Sequence, residues 1–489
     1  MQRLKISLLV LAIGATLFSG CTDFIEDPQP EQSLPSSTAF ERVIDLETAL
    51  IGAYQALQQS DMGGTGTAIN ANVLSDNAEW RGSFPSYIDM FNRQMDATNG
   101  EVAGMWRFGY LAINHANLVL KGVDETTDPE LTPEVADRLR GEALFIRGMV
   151  HFEMVRYYGK PWGGSSSSDL GVPIMITAVA SSGDITFPTR NTVAEVYTQA
   201  ENDLEEAARL LAPTSASGRA NSTAATAYLA EIAFQKREYG EAASLASQVI
   251  GAGYSLTASP EEPFISEGGS EEIFAVVHTT QDNPGVNGSL PTFHHLNGRG
   301  GDVVVSVDLK ENGYEATITP EQQAAAMGSG DTLVDLRATL LTSNGIFNVE
   351  KYEDFTNNAD DNMILRLATF ILMRAEALAR ENGVNQESID LLNQVHNRAI
   401  RRQAADGTLS DASDLVSYEA GDFGSADDLI EAIILERRVE LAFEGNRIHD
   451  LRRLERDVRG IAFDADVLVF PIPQRDLDAN SNLVQNPGY

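Results

Sequence analysis

Apolar side chains recur at helical spacing through most of this chain, in short helices joined by tight turns, and that pattern limits the fold more than any other feature. Ala225, Tyr228, Leu229, Ile232 and Ala233 mark one helix. A turn at Glu238-Tyr239-Gly240 follows, and Ala243, Leu245, Val249 and Ile250 mark its partner, closed by Gly251 and Gly253. Start signals are frequent. Thr38 with Glu41 and Thr192 with Glu195 read as capping boxes, and Thr132 with Pro133 opens a helix predicted to run to Tyr158 before Gly159 and Pro161 stop it. Trp106, Tyr110, Ile113 and Leu120 share one helical face, and a Ser425-capped helix is predicted from Leu429 towards Leu454.

Helical pairs with small residues at their junctions resemble tetratricopeptide units, which stack to bury a shared core. The expectation is a mainly α fold: a tetratricopeptide-like helical-pair scaffold with an irregular loop/β insert. The insert runs from about 256 to 356, where Gly, Asn, Pro and Ser dominate and only short β-like runs such as Ile273–Val277 and Val303–Val305 interrupt them. The predicted division is 1–20 leader, 21–36 tether, 37–255 N-terminal helical region and 256–489 C-terminal region.

Cys21 is the only cysteine, so no internal disulfide, thiolate metal site or redox pair is possible. It follows a positive Arg3/Lys5 region, an apolar run from Ile6 to Phe18 that is too short to span a bilayer, and the small residues Ser19 and Gly20. That is a secretory leader ending in a lipobox-like cysteine. Cys21 is expected to carry lipid, with the acidic, proline-bearing 21–36 stretch holding the body off the membrane.

With 71 acidic against 35 basic residues the net charge is −36, which disfavours nucleic acid and anionic partners. Only six of the cations are lysine. An acid-rich, lysine-poor surface suits saline surroundings, although a GC-rich genome also favours arginine over lysine.

Enzymatic readings are weak. Glu436, Glu440 and Glu444 repeat every four residues beside Arg437 and Arg438, which predicts carboxylates along one helix face with depressed pKa values. A glycosidase needs two carboxylates facing each other across a cleft, so these five residues read as a structural ion network. His294-His295 would point to opposite faces of a strand, and no His-Glu-x-x-His or Gly-x-Ser-x-Gly occurs, so no catalytic or metal residue is assigned. Asp354 to Asn362 is acidic but lacks the glycine and glutamate of a calcium loop; calcium is the only cofactor left open.

Binding has better material. Sugars present apolar faces ringed by hydroxyls, which call for aromatic platforms beside planar polar groups. Asn77, Trp80, Arg81 and Tyr87, with Phe84 nearby, supply both; Phe293, His294 and Asn297, with Arg299, supply them again in the insert. These are the candidate ligand residues. Trp106 and Trp162 read as core.

Taken in order, several segments resemble the SusD/RagB family of nutrient-binding outer-membrane lipoproteins. They are Cys21-Thr-Asp-Phe, Leu50-Ile-Gly-Ala-Tyr54, Glu142–Gly148 with Val155–Gly159, Gly218-Arg-Ala220, Leu392–Ala399, Glu436–Gly445 with Asp450–Arg453, Pro471–Gln474 and the final Gln485–Tyr489. The resemblance spans 21–489 and is weakest across the insert. It implies a non-enzymatic, outward-facing, lipid-anchored protein that caps a SusC-like TonB-dependent transporter and delivers a glycan or similar oligomer to it. A tetratricopeptide-like scaffold binding a protein or peptide is the alternative, and it would show a concave helical groove rather than aromatics on a rim.

Overall fold

The computed structural model describes residues 40–265, 268–339, 341–343, 347–349 and 351–489. Cys21, the leader, the tether and Thr38 lie outside the described residues.

Ten helices frame the scaffold: α1 (Val43–Gln58), α2 (Gly100–Glu125), α3 (Pro133–Tyr158), α4 (Val193–Leu210), α5 (Ser222–Gln235), α6 (Tyr239–Ile250), α7 (Leu367–Asn382), α8 (Gln386–Ala399), α9 (Ala426–Glu440) and α10 (Arg447–Arg453). From α1 to α6 each packs on the next, and α7 then packs on α6, so the chain re-enters the stack where the insert left it. Thr192 and Glu195 form the full capping box of α4, and Thr132 caps α3. Small residues set the close approaches. A Cβ at Gly148 on α3 would lie 3.0 Å from the Ala200 carbonyl oxygen and from Leu204 on α4. Beside that contact Arg147 donates two bonds to Asp203, at 2.7 and 2.6 Å, and a third to Asn117 at 2.9 Å. This buried fork ties α2, α3 and α4 together, and breaking such a pair costs about 3–5 kcal/mol.

Two helix boundaries differ from the sequence expectation. The first helix begins at Val43 with no side-chain cap from Arg42; instead the Val43 N–H donates to Asp128, 2.8 Å away, so the cap comes from a distant turn. The helix expected to run on to Leu454 is two. It ends at Glu440, Phe443 takes a left-handed φ of 69°, and α10 starts at Arg447. Glu444 therefore lies in the connecting turn, not on a helix face with Glu436 and Glu440.

The insert is stitched to the scaffold by short strands: β1 (Ala78–Trp80), β2 (Glu272–Val276), β3 (Val303–Val305), β4 (Thr332–Asp335), β5 (Leu341–Ser343), β6 (Phe347–Val349), β7 (Asn362–Arg366), β8 (Ile400–Gln403) and β9 (Leu409–Asp411). β1, β3, β6 and β5 form one sheet in that order, β2 pairs with β7, and β4, β8 and β9 form a third. All the pairings are antiparallel. One core runs from Leu46 to Ile472 and includes β2, β3 and Phe293, so the insert shares the scaffold's interior.

Candidate functional site

Strand β1, from the N-terminal half, pairs with β3 of the insert, with Ala78 opposite Val305 and Trp80 opposite Val303. This pairing brings the two sequence-predicted binding stretches together. Trp80 and Tyr87 lie 4.7 Å apart by ring centroids, Tyr87 and Phe293 5.6 Å, and Trp80 and Phe293 6.0 Å. Alternation along β1 turns Ala78 and Trp80 inward and leaves Glu79 outward. The rings therefore cover one another: Trp80 is 8% exposed, Tyr87 3% and Phe293 1%. An open stacking face at Trp80, as the sequence suggested, is not what the structure presents.

Two polar candidates are interior as well. Asn77 is buried, and its Oδ1 accepts from Arg438 Nε at 2.9 Å. His294 lies in a short helical turn, Leu290–His294, not in a strand. Its Nδ1 lies 2.9 Å from the Leu290 carbonyl, its ring meets Tyr352 and Phe443, and burial pushes its pKa down to about 4. His295 stacks on Phe355.

What reaches the surface above this cluster is a polar rim. Arg81 and Asn297 are exposed, and Phe84 is half-buried. Arg299 lies 4.4 Å over the Phe84 ring and donates to Asp302 and Asn287, each at 2.7 Å. The Arg81 N–H donates to the Asp302 carbonyl at 2.7 Å. Gly82 allows the turn to lie on the cluster, because a Cβ there would come within 2.5 Å of the Trp80 ring and 2.6 Å of the Asp302 carboxyl. The Trp80 indole N–H and the Asn77 amide nitrogen find no hydrogen-bond partner among the described residues. The arrangement thus offers forked donors and amides over an aromatic base, a chemistry suited to polyol recognition.

Glu101 escaped the sequence reading. It is a first-turn acid on α2, indistinguishable in pattern from other capping carboxylates. Burial, with the nearby Asp61 charge, raises its pKa to about 7 beside the Tyr87 hydroxyl.

The second constellation is a buried ion network. Glu440 accepts from Arg398 at 2.6 Å, Arg366 at 2.8 Å and Arg337 at 3.3 Å. Glu436 pairs with Arg337 and lies 2.9 Å from His396 Nδ1. Glu444 accepts from Lys351 at 2.6 Å and from Arg366 at 2.7 and 2.9 Å. Glu271, just before Glu272 that pairs with Arg366 in the β2–β7 ladder, closes the ring to Arg366 and Arg398. Burial alone would raise the Glu440 carboxyl, but the three guanidiniums outweigh it and hold it well below the usual carboxylate range. Arg437 donates to Asp450 at 2.8 Å, and Arg438 reaches Asp308 at 2.5 Å as well as Asn77. Arg447 clamps Asp76 with two 2.7 Å bonds. The network thus extends from the C-terminal helices to the base of the rim. Each of these carboxylates is held in an ion pair with arginine or lysine.

In the acidic 354–362 stretch the carboxylates are turned onto backbone donors. Asp354 accepts from the Asn357 N–H, Asp360 from Asp354 and Asp361 from His278. Among the described residues no three His, Cys, Asp or Glu side chains come together to hold a metal.

The structure is a helical-repeat scaffold with a loop-built polar rim. Residues 23–234 match a family described as starch-binding and associating with the outer membrane, and residues 338–489 match the SusD family. The chain is 25% identical to SusD-like protein P2 of Formosa agariphila over the whole of both chains. It superposes on a SusD superfamily protein of Bacteroides fragilis with a TM-score of 0.77, 22% identity and coverage of 91% of this chain and 99% of that one. A SusD-like carbohydrate binding protein of Bacteroides vulgatus gives 0.70 at 19% identity, covering 91% and 98%. The chain belongs to the SusD/RagB family. Among the described residues no helix is long and apolar enough to cross a membrane.

Proposed function

We propose that this protein is a cell-surface lipoprotein, anchored to the outer membrane through Cys21, that captures a neutral oligosaccharide and passes it to a SusC-like TonB-dependent transporter. The observation that carries the reading is the β1–β3 pairing, which builds one rim (Arg81, Phe84, Asn297 and Arg299) from two distant segments over a shared aromatic base. Family membership and the leader sequence support the anchor and the partner. The net charge of −36 favours a neutral ligand over a polyanion. The working division at about residue 255 belongs to this proposal; the stretch between the two family matches is largely the insert that supplies half the rim. The reading assigns binding and no turnover.

Calorimetry on the full lipidated chain in detergent, titrated with maltohexaose, laminarihexaose and cellohexaose, tests it. Saturable binding that falls about tenfold in Arg299→Ala, with the sugar recovered intact, is expected. Hydrolysis of the sugar, or binding of peptides in place of all three sugars, would overturn it.

A further inference from the structure

Stacking on a sugar needs an open aromatic face, and the rim's aromatics are mostly covered. Among the side chains described, Phe187 is the one aromatic that stands clearly exposed, at 57%. It lines a cleft of about 680 Å³ between α2, the 173–188 strap and the C-terminal turn around 475–483. None of the residues lining that cleft belongs to the 76–87 or 287–302 stretches of the rim.

The strap is pinned on both sides. Tyr110 donates to the Pro173 carbonyl at 2.8 Å, Asn117 to Met175 at 3.0 Å, and Asn114 exchanges two bonds with the Val179 backbone. At its other end Asn482 donates to the Phe187 carbonyl at 2.7 Å and Asn480 to Pro188 at 2.8 Å. An exposed ring on a backbone fixed this way loses little freedom on binding. The cleft volume falls in the range of small-ligand sites. Phe187, Met175 and Val179 are among its apolar lining residues, while Asp61, Arg107, Arg475 and Asp476 supply polar groups. Two cations and two anions make it locally neutral in a chain of net charge −36. A Cβ at Gly104 would collide with Asp61, so glycine there seats that carboxylate against α2.

We propose that this cleft is a second carbohydrate subsite, in which Phe187 stacks on the apolar face of one sugar of a neutral oligosaccharide while Arg107, Arg475, Asp61 and Asp476 meet its hydroxyls. The proposal rests on the capture reading and places part of the ligand away from the rim. Two subsites on different elements suit an extended chain rather than a single sugar, because linking them raises avidity without new contacts.

The test uses the full lipidated chain in detergent, with maltohexaose, laminarihexaose and cellohexaose as probes. Phe187→Ala is expected to weaken binding of the sugar that the parent binds by about tenfold with an unchanged melting temperature, and Phe187→Trp to restore it. Equal affinity of parent and Phe187→Ala, with Arg299→Ala weakened, overturns the second subsite and leaves the capture reading standing. No binding of any probe to the parent overturns both.

Discussion

Replacing Glu440 by glutamine keeps the shape of the side chain and removes one buried charge that faces three guanidiniums. Arg398, Arg366 and Arg337 converge on it within 3.3 Å, and all four side chains are nearly or fully buried. The variant takes away the one carboxylate that all three guanidiniums share, in a place water does not reach. Breaking a buried pair in this way costs about 3–5 kcal/mol. With an unfolding entropy near 2.1 cal/mol/K per residue and about 450 folded residues, each kcal/mol moves the melting temperature by about 1 °C, so a drop of about 3–5 °C is expected. Differential scanning calorimetry at pH 7 reads this directly. Glu431→Gln serves as the control: its partner Arg456 and its own side chain are 36% and 58% exposed, and the loss should stay below about 1 kcal/mol. If the two variants melt together, the network does not clamp the C-terminal helices and the reasoning fails.

Trp80→Ala should destabilise the protein by about 3–5 kcal/mol, because it opens a cavity between Tyr87 and Phe293; an unchanged urea midpoint would show that the ring is not part of the core. Acid should destabilise the fold from about pH 6.5 downward. Burial depresses His151 to about 3 and His294 to about 4 and also lowers His449, so the unfolded chain takes protons below about pH 6.5 that the folded one refuses. That stability is present above pH 6.5 and is lost as pH falls, by about 2 kcal/mol per histidine at pH 5, offset in part by Glu101, whose raised pKa works the other way. Denaturation at pH 7 and pH 5 checks it, and equal stability at both would refute it. Cys21→Ala should leave a protein that washes off membranes, as fractionation would show; retention equal to the parent would remove the lipid anchor.

Helices were legible where local chemistry decides them. The α4 capping box, the Pro133 start and the Gly159 stop each act within one turn of chain, and the observed helices begin and end there. The first helix was misplaced because its cap, Asp128, is 85 residues away. The break at Phe443 was missed because a residue with a Cβ takes a left-handed conformation there, which no local preference signals. The candidate site was legible as two aromatic–polar stretches, and the β1–β3 ladder joins them. Their burial was not legible. Trp80 and Tyr87 look like a platform when only their own neighbours in sequence are read, and Phe293 covers them from more than 200 residues away. Phe187 lies in a stretch without periodicity or aromatic company, so its exposure emerges only once the asparagines of the C-terminal segment hold its backbone.

Capture at the cell surface is the central claim, and whole cells test it most directly. Cells of the source bacterium with and without this chain would be incubated with fluorescently labelled maltohexaose, laminarihexaose and cellohexaose, and surface-bound label measured by flow cytometry. The account predicts saturable surface binding of one of these sugars that disappears on deletion and returns with the parent chain but not with an Arg299→Ala/Phe187→Ala double variant. Binding equal in deleted and parent cells for every sugar would contradict it.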